Sequence, residues 1–312
     1  MAGINKGNAA NVVKTALDEV FKTGFDYTDD PLLGRASDPL LFRQQNTDRS
    51  AHVSEQLLGP GYFQTKAEQQ DVPTSTLRVG NQKTSTVLEY SNGMDVPRTF
   101  FDDDQHNVVN MAIEEFGAVA AKTQDKEALQ TAYVDGFSSQ QTNDAVAVFS
   151  NSHTTLGGLT VDNLETGVLT IDNFETANIS LLEQRTQSGV LGLHSPRVLL
   201  VPSSLIKEAL EITESELIPN SGNNAINYVS KRYPGLEVRY SPFLGAAESG
   251  SDVRWAVLSK NHKIVRIVRE GLWTKLVDWE TQRNNNNIYK AGYREVVDTL
   301  SFEGVVGSNG TT

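Results

Sequence analysis

The stretch Asp104–Gly136, DQHNVVNMAIEEFGAVAAKTQDKEALQTAYVDG, decides the fold because it predicts one long helix. Its apolar residues recur at helical spacing on one side. They are Val109, Ile113, Phe116, Ala120, Leu129, Ala132, Tyr133 and Phe137. The helix would run roughly 50 Å, which is about the diameter of a compact sphere of this mass. Either the chain is not one simple globule, or the helix is a spine that carries flat domains.

The start of this helix is predicted from the acidic residues before it. Asp102 at the N-cap and Gln105 three residues later form a capping box. The neighbouring Asp103 and Asp104 complement the positive end of the helix dipole. Gly117, inside the helix, predicts either a bend or a close backbone approach.

Composition limits the class of protein. Of the 312 residues, 38% are hydrophobic, which is enough to bury a core. The chain has 27 Lys and Arg residues and 39 Asp and Glu residues, which gives a net charge of −12. Such a chain would repel DNA at long range, whereas unassisted nucleic-acid binders are usually basic. The absence of cysteine excludes disulfides, thiolate metal sites and cysteine nucleophiles. The sequence predicts neither a secretion signal nor a membrane span.

The N-terminal residues 1–59 are predicted to form an arm. Residues 9–23 have the apolar spacing of a short amphipathic helix, and Gly24 follows as its C′ residue. From Phe25 to Gly59 the sequence is rich in polar and turn residues, with prolines that favour extended geometry. We expect this segment to lie on another domain or on another subunit.

Residues 60–100 are predicted to form an extended β-hairpin loop. Alternating Thr and Val residues occupy 74–79 and 84–90, on either side of a turn at Gly80-Asn81. Few of these side chains are strongly apolar, so the ribbon is expected to lie on a partner. Deleting residues 72–90 is therefore predicted to leave a folded protein that cannot assemble.

The rest of the chain mixes helices and strands without regular βαβ alternation, which predicts the α+β class. The spine helix defines a peripheral domain at 101–140, an axial domain follows at 141–270, and return strands occupy 271–312. Predicted helices cover 172–188, capped by Asp172 with Glu175 at N3, 203–213 and 223–232. Predicted strands cover 145–149, 197–201, 236–241, 253–258, 263–269, 272–279 and 293–303.

Few residues could carry chemistry. Asp102, Asp103, Asp104 and His106 offer oxygen and nitrogen ligands for a metal, but consecutive aspartates point in different directions and already cap the helix. No two of the histidines at 52, 106, 153, 194 and 262 are four residues apart. The pairs Glu114-Glu115 and Asp278-x-Glu280 are common patterns in an acidic chain. We predict no catalytic, cofactor-binding or metal-binding residue and no enzyme activity.

One region of this acidic chain has more basic than acidic residues. Nine basic residues lie between Arg254 and Arg294, against Glu270, Asp278 and Glu280. They are Arg254, Lys260, Lys263, Arg266, Arg269, Lys275, Arg283, Lys290 and Arg294. A nucleic-acid patch, a solvated sheet face and a basic surface that attracts the acidic region of the next copy are three interpretations.

Several motifs in this order resemble those of tailed-bacteriophage major capsid proteins. The run Glu89–Asp102, EYSNGMDVPRTFFD, resembles the exit of the extended loop into the spine helix. Residues 149–153 (FSNSH) and 199–205 (LLVPSSL) resemble the core of the axial domain, and 292–298 (GYREVVD) resembles its closing strand. The likeness covers most of residues 60–305.

The resemblance implies a structural subunit that assembles into pentamers and hexamers of an icosahedral head around double-stranded DNA. It implies self-association, with portal, scaffolding or decoration proteins as partners, no sequence-specific DNA binding, no cofactor, and a place in the virion capsid after assembly in the host cytoplasm. A shell subunit of a bacterial nanocompartment is the alternative of similar fold. An acidic metal-dependent hydrolase using Asp102, Asp104 and His106 is the alternative from another class.

Some members of this family cross-link a loop lysine to an asparagine of a neighbour. Lys83 lies beside the predicted turn, and Asn284–Asn287 form an asparagine run. Nothing in their spacing singles out a pair or a supporting carboxylate, so the resemblance does not extend to this chemistry.

Overall fold

The computed structural model describes residues 6–97, 99, 107–218, 225–277, 282 and 286–311, with side chains from Lys14 onward. The chain has the predicted α+β architecture. Its helices are α1 (Lys6–Phe25), α2 (Val108–Leu129), α3 (Ile171–Glu183), α4 (Ile206–Glu214) and α5 (Tyr228–Arg232). Its strands are β1 (Arg43–Asn46), β2 (Ala51–Leu58), β3 (Arg78–Thr86), β4 (Leu88–Pro97), β5 (His153–Thr154), β6 (Thr160–Val161), β7 (Leu164–Glu165), β8 (Pro196–Pro202), β9 (Glu237–Ser241), β10 (Trp255–Ser259), β11 (Ile264–Val277), β12 (Asn286–Thr299) and β13 (Val305–Ser308).

The spine helix is present, with a later start than predicted. It begins at Val108, because Asn107 adopts the left-handed conformation (φ 58°) that ends regular helix geometry on its N-terminal side. A π-helical turn at Gln130–Val134 and a 3-10 turn at Asp135–Phe137 continue it to the predicted end. The predicted capping box at Asp102–Gln105 lies outside the described residues.

Helices α1 and α2 touch through two glycines. A Cβ at Gly117 would lie 2.2 Å from the carbonyl oxygen of Phe21, and a Cβ at Gly24 would lie 1.8 Å from that of Glu114. The close backbone approach predicted from Gly117 is therefore confirmed. Gly24 was predicted to end α1, but the helix continues to Phe25. Gly24 serves helix packing rather than termination.

Gly117→Ala is expected to destabilise the protein by about 1–3 kcal/mol, because the added methyl group collides with α1 backbone that cannot rotate away. Helix propensity alone would favour Ala by about 1 kcal/mol. Urea unfolding measures the difference. Gly271→Ala, where no atom lies within 4 Å of the new Cβ, is the control and should change stability by less than about 0.5 kcal/mol. A more stable Gly117→Ala variant would refute the contact.

A four-stranded sheet in the order β1-β11-β12-β4 covers the other side of α1 and α2. Leu17 and Phe21 of α1, Ile113 of α2 and Tyr289 of β12 are buried together there. The sequence predicted two strands at 263–269 and 272–279, but β11 is continuous, with shifts of register on either side of Glu270. Strand β12 begins at Asn286 rather than 293 and pairs with β4 over its N-terminal ten residues.

The predicted hairpin around Gly80-Asn81 is wrong. Strand β3 runs straight through that dipeptide and pairs antiparallel with β2, with Ala51 opposite Thr86 and Leu58 opposite Arg78. The alternation correctly identified a strand, but its partner lies in the segment assigned to the arm. Deleting residues 72–90 would therefore remove β3 and the buried Val87, so we expect this deletion to destabilise the subunit as well as to prevent assembly.

A five-stranded sheet in the order β7-β13-β10-β8-β9 forms the centre of the second half. Phe174 and Leu181 of α3 and Ile212 of α4 are buried in the apolar cluster beside β8 and β10. The short C-terminal strand β13, which the sequence analysis missed, pairs with β10, so the segment 271–312 does not return to one sheet. The predicted boundary at 270 also falls inside β11.

Two local predictions fail in this half. Residues 145–149 form bends with one isolated bridge, between Ala147 and Gln141, rather than a strand. Val148 and Phe149 are nevertheless buried in the main core. The N-cap of α3 is Thr170, whose hydroxyl accepts a hydrogen bond from the Asn173 amide, rather than Asp172. The helix ends at Glu183, whereas those predicted near 203–213 and 223–232 are present as α4 and α5.

The segment after α1 packs on its own subunit. Leu41 and Phe42 are buried in the main core, so this part of the predicted arm lies on its own subunit rather than on a neighbouring one. The buried carboxylate of Asp125 on α2 accepts hydrogen bonds from the Ala36 amide at 2.7 Å and from the Tyr27 hydroxyl at 3.0 Å, and pairs with Arg35 at 3.2 Å. One α2 carboxylate thus fixes the course of the whole segment.

The buried His262 ties this segment to the start of β11 and should make stability depend on pH. Its Nε2 contacts the Leu40 carbonyl at 3.1 Å and its Nδ1 accepts from the Ile264 amide at 3.3 Å. Burial lowers the pKa of His262 to about 4, and Arg43 and Lys263 add to this effect. Between pH 6.5 and about 4, His262 is therefore protonated in the unfolded chain but not in the native state.

Stability is expected to fall by about 3 kcal/mol as pH decreases through that window. Urea unfolding at closely spaced pH values measures it. His262→Gln keeps a donor for the Leu40 carbonyl and should remove the part of this dependence that His262 causes. His194, whose pKa burial also lowers, and carboxyl groups with shifted pKa values such as Glu295 contribute equally in both proteins. An unchanged slope in the variant would contradict the assignment.

Candidate assembly surfaces

The β2–β3 hairpin exposes its apolar side chains and buries its polar ones. Val53 and Leu57 of β2 are 46% and 56% exposed, whereas the polar Ser54 and Gln56 between them are buried. Leu57 pairs with Val79 across the ribbon, and Val79 is 62% exposed. A half-buried ribbon normally turns its apolar face inward. The outer face of this hairpin is therefore a surface that none of the described residues covers.

The loop that joins β2 to β3 extends this surface. Every residue from Pro60 to Val79 is exposed, and Phe63 is fully so. Tyr62, Val72 and Leu77 are also more than 60% exposed. Clustered exposed apolar side chains of this size mark interaction surfaces in soluble proteins.

The inner face of the hairpin is anchored by the buried carboxylate of Asp298 on β12. It forms an ion pair with Lys83 and accepts hydrogen bonds from Ser85 and from Gln140, the last at 3.1 Å. Lys83 also donates to the Gln141 carbonyl. Four polar side chains thus hold the ribbon on the body of the subunit, where an apolar core would otherwise be needed.

Lys83→Met is expected to loosen this hairpin while leaving the rest of the fold unchanged. It leaves Asp298 buried without its cation, a cost of about 2 kcal/mol given that Lys83 is partly exposed. Hydrogen exchange should accelerate in 51–58 and 78–86 but not in β8 or β10. Lys66→Met, in the exposed loop, is the matched control. Uniform acceleration across the chain would mean that the anchor is not local.

A groove of about 360 Å³ lies between α2 and the β4 end of the four-stranded sheet. Phe116 and Val119 of α2 line one wall, and Tyr90 and Tyr293 line the other with their rings stacked 5.1 Å apart. The Tyr293 hydroxyl is buried without a hydrogen-bond partner. Burial raises the pKa of Tyr293, and the Glu295 carboxylate adds to this effect, so the phenol stays protonated and can donate.

Three of the nine basic residues between Arg254 and Arg294 contact other side chains of the subunit. Arg266 pairs with Glu295 through Nη2 at 2.6 Å and Nε at 2.9 Å, and Gln124 of α2 donates to the same carboxylate oxygen at 3.1 Å. Arg254 lies over the Phe137 ring, and Arg294 lies 3.7 Å from Glu89. These contacts make Arg254, Arg266 and Arg294 part of the fold, which counts against a nucleic-acid patch at these three positions.

The candidates for chemistry do not form a site within the described residues. Asp102, Asp103, Asp104 and His106 lie outside them, as do Asp278 and Glu280. Elsewhere in the described ranges no group of three or more His, Cys, Asp or Glu residues could hold a metal ion. Lys83 is held by Asp298, and Asn284 and Asn285 are not among the described residues.

The buried His153 has a structural role. Its Nδ1 lies 2.8 Å from Asp144 and its Nε2 lies 3.1 Å from the Val148 carbonyl. Burial alone would raise the pKa of Asp144, but hydrogen bonds from His153 and Thr142 hold it below its usual value. The pair ties together the bends that replace the predicted strand at 145–149.

The model of a family described as "Phage capsid protein" matches residues 81–306, well over half of the chain. The chain belongs to the phage capsid protein family. This confirms the resemblance to tailed-phage major capsid proteins, and it identifies the hairpin and the groove as surfaces of a capsid shell protein. Among curated proteins no match was found. In the part of this capsid protein that the structure describes, each helix is too short or too polar to cross a bilayer.

Solved structures share the fold at low sequence identity. The capsid of Myoviridae phage XM1 is 11% identical with a TM-score of 0.54, over 90% of this chain and 93% of that one. The mature capsid of bacteriophage PhiM1 is 11% identical with a TM-score of 0.56, over 90% and 89%. The SrpI encapsulin of Synechococcus elongatus PCC 7942 is 10% identical with a TM-score of 0.55, over 91% of each chain.

Proposed function

We propose that this capsid protein is the major shell subunit of a tailed-phage head and forms its pentamers and hexamers around double-stranded DNA. The outward-facing apolar hairpin, residues 51–86, carries the proposal because its burial requires a neighbouring copy. Each such contact is modest, but contacts repeated through a closed lattice reinforce one another. No catalytic role is part of the proposal.

The subdomains of such a subunit follow the strand pairing. The hairpin 51–86 corresponds to the extended loop, and the N-terminal segment 6–46 is packed on its own subunit. Helices α1 and α2 with the sheet β1-β11-β12-β4 make the peripheral domain. The sheet β7-β13-β10-β8-β9 with α3 to α5 makes the axial domain. We propose these boundaries in place of the predicted divisions at 59 and 270.

The acidic charge suits a container better than a DNA-binding protein. A net charge of −12 disfavours tight binding to phosphates, so packaged DNA could slide along the inner wall without adhering. Portal, scaffolding or decoration proteins would complete the head, which we expect to assemble in the host cytoplasm.

Electron microscopy of the purified chain and of particles from producing cells tests the proposal. Rings with fivefold and sixfold symmetry, or closed shells, are expected across salt and protein concentrations, with nuclease-protected double-stranded DNA in the native particles. Monodisperse monomers under all conditions would refute the shell function.

The second candidate is a nanocompartment shell, which the similarity to the SrpI encapsulin favours. The contents of native particles separate the two, because a nanocompartment would hold protein cargo instead of DNA. Metal analysis of chelator-free protein tests the hydrolase alternative, since a stoichiometric ion would contradict the absence of a catalytic role.

A further inference from the structure

The chain contains two Asn-Gly pairs, which differ in their hydrogen bonds and in their burial. Asn92-Gly93 lies within β4, the strand at the open edge of the four-stranded sheet. Asn309-Gly310 follows β13. Asn-Gly is the dipeptide in which the backbone nitrogen after asparagine is least shielded, because glycine has no side chain. As dipeptides, the two pairs therefore have the same intrinsic reactivity at the glycine nitrogen.

At the first pair the asparagine side chain folds back onto the following amide. The Gly93 nitrogen donates to the Asn92 Oδ1 at 2.8 Å, and both residues are exposed. A carbonyl carbon lies about 1.23 Å from its oxygen, so the Asn92 Cγ is within about 4 Å of the Gly93 nitrogen. These two atoms would form the bond of a five-membered ring, and the geometry approaches a near-attack conformation.

At the second pair both groups are engaged elsewhere. The Gly310 nitrogen donates to the Ser308 Oγ at 3.3 Å, and Gly310 is buried with a positive φ of 66°. The Asn309 Oδ1 accepts from the Thr311 hydroxyl at 2.8 Å and from the Thr311 amide at 3.3 Å. The side chain is thus held toward Thr311 rather than over the Gly310 nitrogen.

We propose that Asn92 is a site of spontaneous deamidation in the native protein and that Asn309 is protected. The Gly93 nitrogen gives its proton to solvent base and attacks the Asn92 Cγ, forming a C–N bond. The Cγ–Nδ2 bond breaks, and the nitrogen takes up a proton and leaves as ammonia. Water then opens the resulting succinimide at either carbonyl, giving aspartate or isoaspartate. No oxidant or reductant takes part.

The products change a defined surface. A carboxylate at position 92 would stand between Glu89 and Asp95 on the same strand and in the wall of the groove beside α2. Three acidic residues along one open edge would repel any acidic partner strand. Isoaspartate would also lengthen the backbone by one methylene group and disturb the pairing of β4 with β12.

Timed incubation of the full chain at mildly alkaline pH tests the proposal. Tryptic cleavage places Asn92 in the peptide 84–98 and Asn309 in 295–312, so mass spectrometry follows both sites in one sample. We expect Asn92 to convert at least about tenfold faster than Asn309 in the native protein. In urea the two rates should approach each other. Equal native rates, or an Asn92 that converts only in urea, would overturn the proposal.

Gly93→Ala is the matched variant because it keeps Asn92 and shields only the attacking nitrogen. The new Cβ would meet the flexible Lys290 side chain at 3.3 Å, which a small adjustment relieves. Conversion at residue 92 should fall about tenfold or more, with Asn309 unchanged. Conversion at the original rate would refute a succinimide route, and the two-site comparison in the unaltered chain stands independently of this variant.

Discussion

Replacing residues 59–77 by an Asn-Gly turn is expected to abolish assembly into rings or shells and to leave the subunit folded. Leu58 and Arg78 are directly paired, so a two-residue turn can join β2 to β3. Every residue from Pro60 to Leu77 is exposed, so the half-buried Gly59 is the main intramolecular burial that is lost. Two hydrogen bonds go with it, from the Ser188 hydroxyl to the Gly59 carbonyl at 3.1 Å and from the Leu191 amide to the Tyr62 hydroxyl at 3.1 Å. Sedimentation velocity and negative-stain microscopy measure assembly, and urea unfolding should show a change of less than about 1 kcal/mol.

A matched point variant separates the loop from the ribbon. Leu57→Ser with Val79→Ser removes the paired apolar side chains from the outer face of the hairpin while keeping Val53, the loop and the Lys83 anchor. It should weaken assembly less than loop replacement, because Phe63 and its neighbours can still contact the next copy. Normal shells from the loop-replaced chain would mean that assembly depends on other surfaces.

The periodicity of apolar residues predicted the helices, because a helix forms its backbone hydrogen bonds within its own segment. The repeat of Val109, Ile113 and Phe116 was sufficient for α2, and Gly117 indicated the approach of another backbone. A strand is completed only by its partner, and that partner can be distant in sequence. The alternation of β3 was read correctly, yet its pairing with 51–58 is set by buried contacts with Asp298, more than 200 residues away.

The assembly surfaces could be predicted only in part, because they too depend on contacts between residues that are distant in sequence. A polar ribbon that needs a partner could be inferred from 74–90, but the inverted face of β2 requires knowing which residues face β12. Asp298 and Glu295 look like ordinary surface carboxylates in an acidic sequence. The signal that could have identified Glu295 is its place at every second position of β12 with Tyr289, Ala291, Tyr293 and Val297, which are all buried. A carboxylate on such a face is buried only with partners. Asp298 lies on the alternate positions with Lys290 and Arg294, where the sequence carries no such signal.

Glu295→Ala is expected to destabilise the subunit by about 3–5 kcal/mol. The change leaves Arg266 buried at 8% exposure, and among the described residues the Ala36 carbonyl at 3.3 Å is its one remaining hydrogen-bond acceptor. It also removes the acceptor for Gln124, so the sheet loses a polar contact with α2. Urea unfolding of the loop-replaced monomer measures this without interference from assembly.

The double variant Arg266→Met with Glu295→Leu decides whether the pair itself stabilises the fold. Burial raises the pKa of Glu295, and the hydrogen bonds and charge of Arg266 offset only part of this effect. Because the folded-state pKa is raised, the carboxylate's contribution becomes less favourable as pH rises through that pKa. Removing both charges should therefore cost far less than removing one, about 1 kcal/mol or less. A double variant as unstable as Glu295→Ala would instead show that the ion pair is strongly favourable and that desolvation is fully compensated.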